Sequence, residues 1–245
     1  MPSQRLRAPE GAQWSAGSSS GAIPPVAIPR YLEETYWWAY VHPGAVRFFE
    51  RQWLVNLILW GNFRRLTDAA LSELGTTISG RTLQVACVYG DLTERLCERI
   101  AADGSLEVVD VLPVQLRNLK RKLSPEAPVT LIHRDSAALG ANTASYDQAL
   151  LFFLLHEQPE AVRRRTLAET VRVVKPGGKI VIVDYHRPRP WHPLAHGFKP
   201  LLRRLEPYAL DLWREEIREW LPPDAGRLSK TTYFGGLYQK LVIHR

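Results

Sequence analysis

The chain has 245 residues, 45% of them hydrophobic, enough to bury one substantial core, and a single α/β domain is the expectation. Its formal net charge of +7 favours an anionic neighbour, nucleic acid or a lipid surface, without choosing between them. Two cysteines, Cys87 and Cys97, are spaced for neither a metal site nor a redox pair, which excludes a disulfide-stapled scaffold and points to a reducing compartment.

Residues 1–29 are rich in Ser, Gly, Pro and Ala and read as a disordered tail, whose polar start lacks the apolar core of a signal peptide. Residues 30–80 are expected to form a helical cap. The aromatic run Tyr36-Trp37-Trp38-Ala39-Tyr40 is broken by His42-Pro43-Gly44. A helix is then predicted over 45–60, with Val46, Phe49, Trp53, Leu57 and Trp60 on one face. Phe48, Val55 and Leu59 make its other side apolar too, so it is covered on two sides or touches lipid. The apolar stretch from Trp53 to Trp60 is far short of the roughly 20 residues that span a bilayer. A second helix over 68–74 stops at Gly75.

From residue 81 onward, strands predicted at 82–86, 106–110, 129–132, 148–155 and 179–183 alternate with helices at 92–101, 112–123 and 161–174. That alternation predicts a doubly wound, mostly parallel sheet. Lys175-Pro176-Gly177-Gly178 is read as the turn that ends the last helix. An insertion over 187–228 mixes Arg187, Arg189, Lys199, Arg203 and Arg204 with Trp191, Phe198 and Trp213. That mixture suits a membrane surface better than nucleic acid. Strands at 231–234 and 238–243 close a seven-stranded sheet.

The chain is organised around Leu83-Gln84-Val85-Ala86-Cys87-Val88-Tyr89-Gly90-Asp91-Leu92-Thr93, where the first strand turns into a helix. Ligands of open parallel sheets bind at such a turn, and glycines there let the backbone come close. The stretch resembles the first motif of class I S-adenosylmethionine (SAM) methyltransferases, among them the ubiquinone and menaquinone ring methyltransferases. Ala86, Gly90, Asp91, Leu92 and Thr93 match; Gln84, Val88 and Tyr89 replace an acidic residue, a glycine and a threonine. Those departures, with Trp37, Trp38, Tyr40, His42 and Pro43 upstream, resemble the rhodoquinone-biosynthesis family (RquA), methyltransferase-like proteins that convert ubiquinone to rhodoquinone. The resemblance implies a Rossmann-like SAM-binding domain over 81–245 and ubiquinone as substrate. It also implies SAM as amino donor and a divalent metal, Mn(II). A protein doing this would be cytoplasmic and held peripherally at the inner membrane.

Cofactor contacts are expected from Ala86, Cys87, Val88, Tyr89, Gly90 and Asp91, and from Asp110, Val111, Asp135 and Ser136 at the next two strand ends. Asp110 lies where an acid accepts hydrogen bonds from ribose hydroxyls. Asp135 stands where such enzymes read the adenine amino group, and Asp91 either caps the helix or holds the cofactor's ammonium. His156 and Glu157 are candidate metal ligands, and His156 is equally a candidate base. With Tyr89 and Tyr185, His156 forms the expected catalytic set. Asp184-Tyr185-His186 is a second candidate cluster. The quinone is expected to meet Tyr36, Trp37, Tyr40, His42 and Trp53.

Overall fold

The computed structural model describes residues 26–36 and 50–245. The expectations for Trp37, Tyr40 and His42, and most of the 1–29 tail, lie outside the described residues.

Seven strands form one sheet in the order β3-β2-β1-β4-β5-β7-β6. They are β1 (Ile78–Val85), β2 (Ile100–Asp110), β3 (Val129–His133), β4 (Tyr146–Phe152), β5 (Val174–Tyr185), β6 (Arg227–Tyr233) and β7 (Tyr238–His244). β1 to β5 pair in parallel, whereas β7 runs antiparallel to both β5 and β6. The central strands are covered on both faces, so Leu83, Val85, Leu150, Leu151 and Val181 to Val183 are buried without strict alternation. Strand order reverses between β1 and β4, and the crevice at their carboxyl ends is where this architecture binds ligands.

Several boundaries differ from the expected ones. The first crossover helix is only Leu92–Cys97, because β2 already begins at Ile100. β4 ends at Phe152, and His156 and Glu157 sit beyond it in a 3₁₀ turn, Leu155–Glu157, not on the strand. Lys175 to Gly178 belong to β5 as an irregularity in its register with β4, with Gly177 at φ +79°. Once the helix Glu160–Val173 has ended, Val174 already pairs with Tyr146.

Of the helix expected over 45–60, residues 45–49 lie outside the described residues, and of its two apolar sides one meets the core. Helix Gln52–Ile58 buries Leu54 and Val55, and Leu59 just beyond it, while Trp53 and Leu57 are 59% and 64% exposed. The cause lies in the next helix, Phe63–Leu74. It presents Phe63, Leu66, Ala70, Leu71 and Leu74 to the sheet and so occupies the core-facing position itself. The bend between the two helices is fixed by Trp60 and Gly61 at positive φ, and Asn62 Nδ2 donates to the Leu59 and Trp60 carbonyls. Only one flank of the short helix then reaches the core. Among the described residues, no helix is long and apolar enough to cross a membrane.

Candidate active site

A cavity of about 580 Å³ opens at the carboxyl ends of β1, β2, β4 and β5. One wall is the loop after β1. Ala86, at φ +76°, turns the chain out of the strand, and Cys87, Val88 and Tyr89 line the cavity behind it. Gln84, which replaces the motif's acid, is buried beneath this loop. Its Nε2 donates to the Ala86 carbonyl at 3.0 Å, and its Oε1 accepts from the Thr93 hydroxyl at 3.0 Å. A carboxylate could not donate to Ala86, so the amide allows a tie inside the loop that an acid would forbid.

Asp110 ends β2 with both carboxylate oxygens engaged. Oδ2 accepts from the Cys87 amide at 2.8 Å and Oδ1 from the Leu112 amide at 2.7 Å. The carboxylate is thereby fixed at the cavity wall, while burial raises its pKa. Tyr89 projects beside it, its hydroxyl accepting a 2.8 Å hydrogen bond from Gln115 Nε2, and burial pushes the phenol pKa up.

Gly90 is explained by packing. At φ +83°, an added Cβ would lie 2.6 Å from Phe63 Cζ of the cap. Its amide donates to Glu50 Oε1 at 3.0 Å, and Lys122 and Asn118 hold the same carboxylate. Neither Gly90 nor Asp91 lines the cavity, and Asp91 Oδ1 is buried without a hydrogen-bond partner among the described residues.

Val111 and Ser136 line the cavity, and Asp135 does not; its Oδ1 accepts from the Ala137 amide at 2.8 Å within its own turn. The Ser136 hydroxyl is shared with Thr166 and Gln158, so Arg134 and Gln158 are the other polar groups that line this side.

The opposite wall carries the charged groups. His156 Nδ1 is 3.0 Å from Asp184 Oδ1, and the buried Asp184 also accepts from the Leu155 and Tyr185 amides. The far nitrogen, Nε2, lies 3.9 Å from Glu157 Oε1 and 3.9 Å from Glu206 Oε2. Burial pulls the imidazole pKa down, but the charge and hydrogen bond of Asp184, with Glu206 and Glu157, outweigh it and push the value up to about 9. His156 is therefore an imidazolium at neutral pH. Burial raises the pKa of Glu206, offset in part by His156 and by Tyr36. Tyr185 meets the His156 ring edge-on at 5.0 Å, and its phenol pKa is raised by burial.

A buried arginine supports this wall. Arg163 donates to the carbonyls of Leu155 and Gln158 at 2.9 and 2.8 Å, bracing the turn that carries His156. It also donates to Tyr208 and stacks on Trp220, so the 187–228 segment is tied to the same turn.

The substrate expectations are redistributed. Trp53 points to solvent and does not line the cavity. Tyr36 is buried one layer behind, against Tyr208 and beside Glu206, while Tyr31 and Leu32 line the cavity instead. Among the described residues, no group of three or more His, Cys, Asp or Glu side chains is arranged to hold a metal ion. His156 Nε2 and Glu157 Oε1 lie 3.9 Å apart. Glu206, Gln115, Arg134 and Tyr31 were not anticipated. Glu206 follows a helix at a position with no motif, and only a periodicity placing Leu201 and Leu205 at the cavity would have pointed toward it.

Residues 82–178 match the family described as Methyltransferase domain. The chain is 32% identical over 127 residues to a 2-phytyl-1,4-naphtoquinone methyltransferase of Nostoc punctiforme, covering 50% of this chain and 54% of that one. It is 27% identical over 135 residues to a demethylmenaquinone methyltransferase of Staphylococcus aureus, covering 55% of each. The matches thus span about half the length of these relatives. A solved O-methyltransferase family protein from Burkholderia thailandensis superposes with TM-score 0.60 at 17% identity, over 78% of this chain and 58% of that one. The fold is the seven-stranded, Rossmann-like α/β fold of class I SAM methyltransferases.

Proposed function

We propose that this protein is a SAM-dependent transferase acting on the ring of a prenylated quinone. The observation that carries the reading is one continuous cavity with two kinds of lining. Strand-end groups suited to a nucleoside share it with Leu57, Ile58, Trp60, Leu201 and Leu205, a lining suited to an isoprenoid tail. The relatives' names supply the quinone class.

The residues present fit SAM at the β1–β2 end. Asp110 is held to accept from ribose hydroxyls, Val88 and Tyr89 bound the space for the amino-acid end, and Arg134 with Ser136 borders the base. Bound SAM supplies a transferable methyl or, in the second reading below, an α-amino nitrogen. His156, fixed by Asp184, directs Nε2–H toward the cavity, where it donates to a ring oxygen of the quinone. Glu157 and Glu206, each 3.9 Å from Nε2, favour the protonated ring electrostatically, and burial raises the pKa of Glu206. Tyr185 and Phe153 fix the imidazole plane.

Ring methylation is the chemistry that the relatives' names support. The second reading is exchange of a ring methoxy for an amino group, as in rhodoquinone biosynthesis, and two features favour it. Tyr89, anchored by Gln115, fills the space of a small motif residue and would bound the amino-acid end of a cofactor held there. An imidazolium at the ring is an acid, suited to making an oxidised quinone more electrophilic, whereas methylation asks for a base. A bilayer surface at the inner membrane follows as the workplace from the prenylated substrate. No metal step is part of this scheme.

Mass spectrometry of purified protein with short-tailed ubiquinone or demethylmenaquinone, SAM, and Mn(II) or EDTA tests both chemistries. A methylated product supports the first and an amino-for-methoxy product the second. No product, together with no thermal stabilisation by SAM, overturns the proposal. Loss of product in EDTA would place a metal in the reaction after all.

A further inference from the structure

Two helices flank the cavity and expose apolar side chains that also line it. Leu57, Ile58 and Trp60 are 64%, 43% and 46% exposed at one side, and Leu201 of helix Leu194–Leu205 is 47% exposed at the other. Side chains that border a cavity and also face solvent mark where it reaches the surface. Trp60 meets Phe198 edge-on at 5.8 Å, which joins the two helices into one rim, and Trp53 extends it at 59% exposed. Exposed apolar groups clustered at a cavity opening, not scattered singly, are the signature of an interaction surface.

The charge around this rim selects its partner. Residues 51–65 and 187–205, which carry the rim, contain eight arginines and lysines and no aspartate or glutamate. The chain as a whole has 25 acids and a formal charge of only +7, so these two segments hold more than its entire excess. Arg51, Arg64, Arg65, Lys199, Arg203 and Arg204 are exposed. The two segments are bounded by Glu50 and Glu206, and the excess of basic over acidic side chains along the rim itself suits a bilayer with anionic headgroups.

We propose that this rim is a membrane-docking face, with the tryptophans and leucines entering the headgroup–acyl boundary, the basic residues on anionic headgroups, and the cavity opening toward the lipid. A prenylated ring then passes from bilayer to cavity without its tail crossing water. The route, though not the docking, rests on the quinone reading.

Flotation of the full chain with vesicles of phosphatidylcholine alone, or with added phosphatidylglycerol, tests the face in the absence of SAM and quinone. The protein is expected to float with the anionic vesicles at least about tenfold more strongly than with neutral ones, and to be released as salt shortens the reach of the charges. Trp53→Ser is expected to lower partitioning about tenfold. Arg203→Glu with Arg204→Glu should erase the anionic preference. Circular dichroism and the thermal midpoint should stay as in the wild type, since none of the three lines the cavity. Folded wild type that fails to float, or Trp53→Ser floating unchanged, overturns the proposal. So does light scattering that shows a dimer which Trp53→Ser dissociates, since the occupant would then be a second copy. Failure here leaves the mass-spectrometric test of the quinone reading untouched.

Discussion

The cavity's two sides are built differently. The strand-end side is held by buried hydrogen bonds: Asp110 on two amides, Gln84 between Ala86 and Thr93, Asp184 on three amides and the His156 ring. The helical side, from Gln52–Ile58 and Leu194–Leu205, offers apolar side chains that are half in solvent. A polar wall must be fixed because each buried donor or acceptor left unmatched is costly, and fixed groups are what reaction geometry needs. An apolar wall need only exclude water and accept a tail. It can be left exposed if something apolar covers it.

If this contrast is right, damage should be largest on the strand-end side. Asp184→Ala strands the buried His156 ring and three amides, and is expected to cost about 3–5 kcal/mol in denaturant unfolding. A loss comparable to an exposed substitution would remove the strand-end wall from the argument.

The pH dependence comes next. His156 is raised in the folded state from 6.5 to about 9. Its contribution is therefore fully present below the unfolded pKa and is lost as pH rises through about 9. Stability should fall by about 2–3 kcal/mol between roughly pH 6.5 and 9.5, and His156→Gln should flatten that part of the profile. A wild-type profile flat in that window would mean that the imidazole is neutral.

Gly90→Ala should cost about 2 kcal/mol, from positive φ and the contact with Phe63, and should loosen the cap. Because Gly90 does not line the cavity, SAM affinity measured by calorimetry should change less than stability does. Tyr89→Phe removes the Gln115 hydrogen bond, about 1 kcal/mol, and sharpens the contrast by keeping the ring that shapes the cavity. Trp53→Ser, on the other side, should stay within about 0.5 kcal/mol of wild type in thermal unfolding.

The strand-end side was the legible one. Its elements are local, and Asp110 and the Ala86 to Tyr89 loop could be placed from strand ends and motif spacing alone. Spacing put Asp135 at a strand end too, and there its short side chain accepts from the Ala137 amide two residues on. His156 was located to within a turn, yet Asp184 as its partner lies 28 residues away and follows from β4 and β5 being neighbours.

Hydrophobic periodicity and turn chemistry determined by themselves that this chain makes a parallel, doubly wound sheet with its binding crevice after β1 and β2. Those signals act over a few residues. Which side of the cap helix meets the core was decided only in the tertiary structure, because residues 53–60 are apolar on both flanks and the neighbouring Phe63–Leu74 helix took the sheet. Glu206 likewise reached His156 only through the packing of Leu194–Leu205 and the tie of Arg163 to Tyr208. No local pattern encodes a contact between residues 50 positions apart; burial and charge select it once the sheet exists.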